Sequence, residues 1–182
     1  MRPSRALAVL GLHARLAPAP LVPVPASLDA CRALLAYQGP ARELVAQIKY
    51  RNARAPLRWL ARGMATLVRA ARSRWSRGRP PPPSAAERGF DQAELLARRV
   101  ARELGVPCRG LLARAPGPAQ TGRSLDERRT GPAFRPVRPV PGGRVAVVDD
   151  VVTTGATLGA AGRALRAAGA GAVVGVAAAH PP

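Results

Sequence analysis

Apolar and polar positions along this chain of 182 residues follow two periods, one typical of strands and one typical of helices. Residues 145–148 and 172–178 are continuous apolar runs of strand length, which indicates strands buried on both faces of a parallel sheet. Other segments place apolar side chains three and four residues apart, as amphipathic helices do; they span residues 44–48, 57–68, 95–104 and 158–168. The pattern predicts an α/β domain in which helices cover a mainly parallel sheet.

Local signals mark where several of these elements begin and end. The helix that starts at Asp91 should stop at Gly105, and the helix after residue 157 should stop at Gly169, because glycine readily ends helices. Ser27 and the acid that follows it predict a further helix near the N-terminus. The proline run 80–83 fits neither a helix nor a central strand, so we expect a lost strand or an irregular extended connection there.

The composition fits a folded chain that does not insert into a membrane. Hydrophobic residues make up 47% of the chain, which excludes wholesale disorder, and no apolar run approaches the roughly 20 residues that cross a bilayer. The apolar stretch 6–12 is too short for a signal peptide, so we expect a cytoplasmic location. Cys31 and Cys108 lie far apart without a CxxC pair, which predicts buried free thiols.

The net charge of +19 comes almost entirely from arginine and indicates an anionic partner. Two interpretations stay open: binding of a polyanion such as single-stranded DNA, or solvated arginines around a small anionic ligand. A basic cluster at the end of one predicted helix and in the following linker is the candidate DNA contact; it contains Arg69, Arg72, Arg74, Arg77 and Arg79. Aromatic residues make up only 3% of the chain, so base stacking should contribute little.

The strongest chemical signal is the stretch 144–157, which reads RVAVVDDVVTTGAT. Asp149 and Asp150 follow the apolar run at the carboxyl end of a predicted strand, where α/β folds bind ligands. The next loop opens a helix, so free backbone N–H groups and hydroxyls form a predicted phosphate site of Thr153, Thr154, Gly155, Ala156 and Thr157. Acids beside a phosphate site suit a ligand with vicinal hydroxyls or a bridging Mg²⁺. The alternative is an ordinary strand-to-helix turn with solvated acids and a threonine cap.

At these residues the chain resembles the type I phosphoribosyltransferases, and more narrowly the ComF competence-protein family. Further stretches carry the narrower resemblance: YQGPARELVAQIKY at 37–50, ERGFDQAELLARRVARELG at 87–105, and the arginine-rich segment 120–134. The resemblance implies the type I phosphoribosyltransferase fold over residues 37–182. Residues 1–36 would be a Pro/Ala-rich lead in which the zinc module of many relatives is absent.

The resemblance also implies a role for each part of the motif. Asp149 and Asp150 would be the catalytic acids, holding the ribose hydroxyls of 5-phosphoribosyl 1-pyrophosphate (PRPP) and, indirectly, Mg²⁺, while residues 153–157 bind its 5′-phosphate. A flexible loop that covers the site would contribute Arg123, Arg128 and Arg129 to the pyrophosphate, since guanidinium groups bind phosphate oxygens bidentately. A solvated basic loop is the alternative for this segment.

Several functions follow from the resemblance. The first is a Mg²⁺-dependent, PRPP-binding transferase linked to DNA uptake, with the competence machinery and single-stranded DNA as candidate partners. The alternatives are a non-catalytic PRPP sensor or DNA-binding protein, and a nucleobase phosphoribosyltransferase of salvage metabolism. Purine-salvage relatives often carry an acid where Thr153 stands, which argues against purine transfer. The sequence leaves the acceptor, the retention of catalysis and the oligomeric state open.

Overall fold

The computed structural model describes residues 16–51, 54–72, 84–86, 91–114 and 132–182. In these ranges the strands are β1 (Ala30–Ala36), β2 (Ser84–Ala86), β3 (Cys108–Arg109), β4 (Leu112–Arg114), β5 (Phe134–Pro136), β6 (Arg144–Val151) and β7 (Ala172–His180). The helices are α1 (Gly39–Arg51), α2 (Arg54–Arg72), α3 (Asp91–Leu104) and α4 (Ala156–Ala167). None of these helices is both long enough and apolar enough to cross a membrane.

Five strands form one sheet in the order β1-β7-β6-β2-β3, and every neighbouring pair is parallel. Strand β6 lies at the centre, where Val147 stands opposite Gly175 of β7 on one side and Ala86 of β2 on the other. Strands β4 and β5 form a separate antiparallel ribbon. The predicted α/β class with a mainly parallel sheet is therefore confirmed.

Helices cover both faces of the sheet, which explains why the central strands read as continuous apolar runs. One face packs against α1, α2 and α3, where Ala146 and Val148 of β6 join a core that includes Leu60 and Met64. The other face packs against α4 and the β4–β5 ribbon, and receives Val145, Val147, Leu158 and Leu165. Side chains that alternate along β6 thus enter two different cores, and both faces of the strand are apolar.

The helices predicted from apolar spacing are confirmed. Helix α2 buries Leu57, Leu60, Met64 and Val68, the residues that define its predicted apolar face. Helix α3 begins at Asp91 and ends before Gly105, which has a φ of 68°. Helix α4 ends at Ala167 and Gly169 follows with a φ of 91°, the left-handed conformation expected of a glycine that ends a helix.

The prediction of a helix that starts at Ser27 is wrong. Residues 30–36 instead form β1, which pairs in parallel with β7 along the edge of the sheet. Asp29 does not cap a helix: its Oδ2 accepts a hydrogen bond of 2.6 Å from the Val173 N–H. A local cap signal is worth about 1 kcal/mol, whereas pairing with β7 adds several backbone hydrogen bonds on one side of the segment, and Cys31 and Leu35 are buried.

Of the two alternatives predicted for the proline segment, the loss of a strand is wrong, because a short strand directly follows the prolines; the irregular connection stays a prediction. Strand β2 lies between β6 and β3, with Ala85 opposite Ala146 on one side and Cys108 on the other. The prolines 80–83 themselves lie outside the described residues. Ser84 is the first residue after the run with a backbone N–H, so it is the first that can donate a hydrogen bond to a neighbouring strand.

Residues 22–29, hereafter the lead segment, pack along α4 over a row of glycines. A Cβ placed on Gly159 would lie 3.0 Å from the Pro25 Cβ, and one on Gly162 would lie 2.6 Å from the Leu28 Cδ2. The Ser27 Oγ donates a hydrogen bond of 2.7 Å to the Gly159 carbonyl. The absence of side chains on one stripe of α4 therefore allows the lead segment to approach the helix backbone closely.

Candidate functional site

The connections of the sheet define where a ligand can bind. From β6 the chain passes through α4 to β7, while from the adjacent β2 it passes through α3 to β3 on the opposite side. The two connections leave neighbouring strands in opposite directions, so a crevice forms outside their carboxyl ends. Asp149 and Asp150 occupy that end of β6, which places the predicted acids at the binding position of this fold.

Asp149 is the only charged residue that is buried among the side chains the structure describes, with 3% of its surface exposed. Its Oδ1 accepts a hydrogen bond of 2.9 Å from the Asp150 N–H. Burial of a carboxylate is costly unless hydrogen bonds or a positive partner compensate for the lost hydration. A buried acid at the wall of a cleft is therefore a strong candidate for a functional group.

A small, solvent-open cleft of about 20 Å³ brings the acid and the predicted phosphate loop together. Its wall is almost entirely polar and contains Asp149 together with Thr153, Gly155, Ala156 and Thr157; residues 151, 152 and 158 also border it. The loop that the sequence assigned to phosphate thus faces the acid that the sequence assigned to the ribose. The cleft combines hydroxyl groups, a carboxylate and the N-terminal end of α4.

Asp150 differs from its neighbour. Asp150 does not line this cleft; it is half-buried, and its Oδ1 accepts a hydrogen bond of 2.7 Å from the Val151 N–H. Alternation along β6 puts Asp149 on the α4 side with Val145 and Val147, and Asp150 on the opposite side. The two acids were expected to act together, but only Asp149 shares the cleft with the loop.

The loop that precedes α4 has the local geometry of an anion site. Gly155 stands at the start of the helix with a φ of 75°, and no side chain caps it. The first turn of α4 contains no acidic residue, so the positive end of the helix dipole is not neutralised from within the helix. Within the loop, Thr154 Oγ1 accepts a hydrogen bond of 3.3 Å from the Ala156 N–H, which stabilises the turn into α4.

The remaining predicted site residues lie apart from the cleft or outside the described residues. Arg123, Arg128 and Arg129 belong to the segment 115–131, and Arg74, Arg77 and Arg79 belong to 73–83, neither of which is described. The backbone of Arg72 ends α2, and its side chain is likewise not described. Arg69 Nη2 donates a hydrogen bond to the Glu103 carbonyl, at the contact between α2 and α3.

Sequence reasoning assigned no role to His180, yet the structure places it next to the phosphate loop. Its Nδ1 lies 2.8 Å from the carbonyl oxygen of Val152, the residue immediately before Thr153. The available signal was its position at the end of the apolar run that forms β7, the strand adjacent to β6. Parallel neighbours bring their carboxyl ends to the same edge of the sheet.

Cys31 is a further residue to which the sequence assigned no functional role, and the charge of Asp149 acts on its thiol. Burial, and to a smaller extent the charge of Asp149, raises the pKa of the Cys31 thiol from 9.0 to about 11. Gly175 makes room for it: a Cβ there would lie 3.4 Å from the Cys31 Sγ. The prediction of buried free thiols is confirmed for Cys31, while Cys108 is free but partly exposed.

The shifted pKa predicts a loss of stability at alkaline pH. Between pH 9 and 11 the unfolded chain has released the Cys31 proton and the folded protein retains it, so the free energy of unfolding falls by up to about 1.4 kcal/mol per pH unit. Below pH 9 this contribution is constant. Urea unfolding from pH 8 to 10.5 should show a steeper decline for the wild type than for C31A, with C108A as the control. The same slope in C31A and in the wild type would contradict the assignment.

Comparison with known proteins supports the phosphoribosyltransferase interpretation. Residues 91–180 match the family model described as the phosphoribosyl transferase domain, which covers α3 through β7 and includes the cleft. The match and the parallel sheet show a type I phosphoribosyltransferase fold. They also support membership of that superfamily and a transferase-like function with a ribose phosphate or PRPP as ligand. No curated protein matches the chain in sequence.

Proposed function

We propose that this chain is a ComF-type, phosphoribosyltransferase-like protein that binds PRPP or ribose 5-phosphate with Mg²⁺ and takes part in DNA uptake during natural competence. One observation supports this choice of ligand: the buried Asp149 and the loop before α4, whose Gly155 provides no side-chain cap, line the same cleft. A carboxylate repels a bare phosphate, so its presence favours a ligand that also offers hydroxyl groups. A sugar phosphate has both chemical groups.

Different residues of the cleft would contact the phosphate and the ribose of the ligand. The backbone N–H groups and hydroxyls of Thr153, Gly155 and Thr157 would bind the 5′-phosphate, with the positive end of α4 directed toward it. Asp149 would accept hydrogen bonds from the ribose hydroxyls, and its hydrogen bond from the Asp150 N–H fixes its orientation. Burial increases the strength of these charge-assisted bonds, because water competes less for the carboxylate.

The donor set suits a Mg²⁺ ion that arrives with the ligand. Within the described ranges no three His, Cys, Asp or Glu side chains lie together as a metal site. Mg²⁺ commonly binds through one or two carboxylates plus substrate phosphates and water. Asp149, which lines the cleft, is the carboxylate that would hold it. Asp150, the second predicted carboxylate, lies on the other side of β6 and would contribute less. The ion would supply charge neutralisation of the pyrophosphate. In transfer, the bond from ribose C1 to pyrophosphate breaks, pyrophosphate leaves with the electron pair, and a nucleophile bonds to C1.

Calorimetry with a graded set of ligands tests this proposal. We expect binding of ribose 5-phosphate, Mg²⁺-dependent binding of PRPP, and no measurable binding of ribose without its phosphate. Binding of inorganic phosphate should be weaker than that of ribose 5-phosphate, because it lacks the hydroxyls that Asp149 recognises. If none of the four ligands binds, residues 144–157 form an ordinary strand-to-helix turn and the proposal is wrong.

A pyrophosphate-release assay then separates a transferase of purine salvage from a sensor or a transferase with another acceptor. Thr153 is exposed at the cleft and has no carboxylate to recognise a purine base. We therefore expect slow or absent transfer to hypoxanthine, guanine and adenine in the presence of PRPP and Mg²⁺. Rapid turnover with any of these bases would instead support the salvage alternative.

Single-stranded DNA binding is a second candidate function, favoured by the charge distribution on the helices. The net charge of +19 far exceeds what one pyrophosphate-bearing ligand requires. Helices α2 and α3 pack side by side and expose a set of arginines: Arg58, Arg62, Arg69, Arg98 and Arg102. Three acids lie on these helices: Glu94 forms an ion pair with Arg98, Glu103 forms one with Arg62, and the side chain of Asp91 is not described. The face as a whole therefore favours a polyanion.

The salt dependence of DNA binding tests this second function. Affinity for single strands should fall steeply with salt, because each neutralised phosphate contributes about −0.7 to the log–log slope. Purine and pyrimidine tracts should bind alike, since aromatic residues are scarce. Glutamine substitution of the predicted cluster (Arg69, Arg72, Arg74, Arg77 and Arg79) should flatten the slope and leave ribose 5-phosphate binding intact. An unaltered slope would place the DNA contact elsewhere.

A further inference from the structure

Both backbone polar groups of Val152 contact the last two residues of β7. Its N–H donates a hydrogen bond of 2.9 Å to the Ala179 carbonyl, which continues the ladder between β6 and β7. Its carbonyl oxygen lies 2.8 Å from the His180 Nδ1. The side chain of His180 thus makes the next contact where the backbone ladder of β6 ends. The chain continues from Val152 directly into the phosphate loop at Thr153.

His180 is itself fixed in place. Its backbone carbonyl accepts a hydrogen bond of 2.7 Å from the Tyr37 N–H, which follows β1 on the other side of β7. Its side chain is partly buried. The partner of Nδ1 is a carbonyl oxygen, which can only accept, so Nδ1 must carry the proton. The ring is therefore held from the backbone of β7 and directed at Val152.

A planar peptide bond transmits this contact to the ligand site. The carbonyl of Val152 and the N–H of Thr153 belong to one peptide unit, in which they point in opposite directions and cannot rotate separately. Whatever fixes the Val152 carbonyl therefore fixes the direction of the Thr153 N–H. Thr153 lines the cleft at the start of the phosphate loop. Without the His180 contact, this peptide unit could turn, and the loop would lose a donor of defined direction.

We propose that His180 is a positioning residue that orients the Thr153 N–H for the phosphate group by holding the Val152 carbonyl. The inference rests on the proposed binding of a ribose phosphate in this cleft. It assigns to the imidazole no contact with the ligand. It also explains why a polar side chain ends an otherwise apolar strand: Ala172–His180 is buried along its length except at its last residue.

Two substitutions of similar size separate positioning from packing. Asparagine places its Nδ2–H as many bonds from the backbone as the histidine Nδ1–H, so H180N can retain the bond to Val152, whereas H180L cannot donate. The direct readouts are the amide NMR shift of Thr153 and hydrogen exchange at the Val152 N–H, which is bonded to Ala179. We expect H180L to shift the Thr153 amide resonance and to raise exchange at Val152 about tenfold. Ribose 5-phosphate binding should weaken about 3- to 10-fold, the magnitude of one net hydrogen bond. H180N should stay within about twofold of the wild type in both measurements.

The outcomes distinguish this inference from the proposed function. If the wild type does not bind ribose 5-phosphate, the proposed function fails, and the Thr153 amide shift together with exchange at Val152 still decides whether His180 holds this part of the backbone. An unchanged Thr153 shift and equal Val152 exchange in H180L and wild type would overturn the inference, and so would an H180N variant as impaired as H180L. Nitrogen NMR of the imidazole gives a second criterion: a proton on Nε2 with none on Nδ1 would also contradict it.

Discussion

Replacement of both acids, D149N with D150N, should weaken Mg²⁺-dependent PRPP binding by about 2 kcal/mol or more, because charge-assisted hydrogen bonds to the ligand are lost. The structure predicts that the two positions contribute unequally. Asp149 lines the cleft and is buried, whereas Asp150 is half-buried and lies outside it. D149N alone should therefore account for most of the loss, and D150N for the smaller part. Calorimetry on the two single variants and the double variant measures this partition.

Thermal unfolding of the same variants provides the control. D149N preserves the shape of the side chain and removes a buried charge, so the melting temperature without ligand should stay level or rise. A protein that becomes more stable while its affinity falls would show that Asp149 is retained for binding at a cost in stability. A folded double variant with unchanged PRPP affinity would contradict the assignment of Asp149 and Asp150 to ligand binding.

Alanine at Gly155 should disable the phosphate loop, and Gly105 offers a matched control. Both glycines are left-handed, with φ of 75° and 68°, so an alanine at either position costs about 1 kcal/mol in backbone strain. A Cβ at Gly105 would meet nothing within 4 Å, whereas one at Gly155 would lie 3.0 Å from the Pro25 Cγ. G155A should therefore displace both the loop and the lead segment, while G105A should add strain alone.

Two measurements follow from this comparison. In urea unfolding, G105A should lose about 1 kcal/mol and G155A more than that, because Pro25 must also shift. In calorimetry, G155A should bind ribose 5-phosphate at least about tenfold more weakly, since the donors of the loop no longer converge, while G105A should match the wild type. Equal affinity in the two variants would mean that the loop does not bind the phosphate.

The position of Pro25 against Gly155 also links the N-terminal lead to the site. Ser27 attaches the lead segment to the Gly159 carbonyl in the first half of α4. Asp29 attaches it to the other end, where Arg166 Nη2 lies 2.6 Å from the Asp29 Oδ1. Arg166 Nη1 also donates to the Gly171 carbonyl at 2.7 Å. The lead segment is thus fixed along α4, and its Pro25 packs against Gly155 of the phosphate loop.

Much of the fold could be predicted because its signals are local. The apolar runs of β6 and β7, the apolar faces of α2 and α3, and the glycines after α3 and α4 each depend on a few neighbouring residues. The phosphate loop is predictable for the same reason, since its donors belong to consecutive residues at the start of one helix. The position of Asp149 at the end of a strand could also be predicted, because it directly follows an apolar run.

Other features depended on partners distant in the chain, and only the tertiary structure decided them. Residues 30–36 are a strand because β7 offers them an edge, and residues 84–86 are a strand because β6 and β3 pair with them on both sides. The separation of Asp149 from Asp150 depends on which sheet face α4 covers. The contact of His180 with Val152 joins residues 28 positions apart. Each is fixed by the packing of non-local elements, whose energies exceed the weak local preferences that the sequence displays.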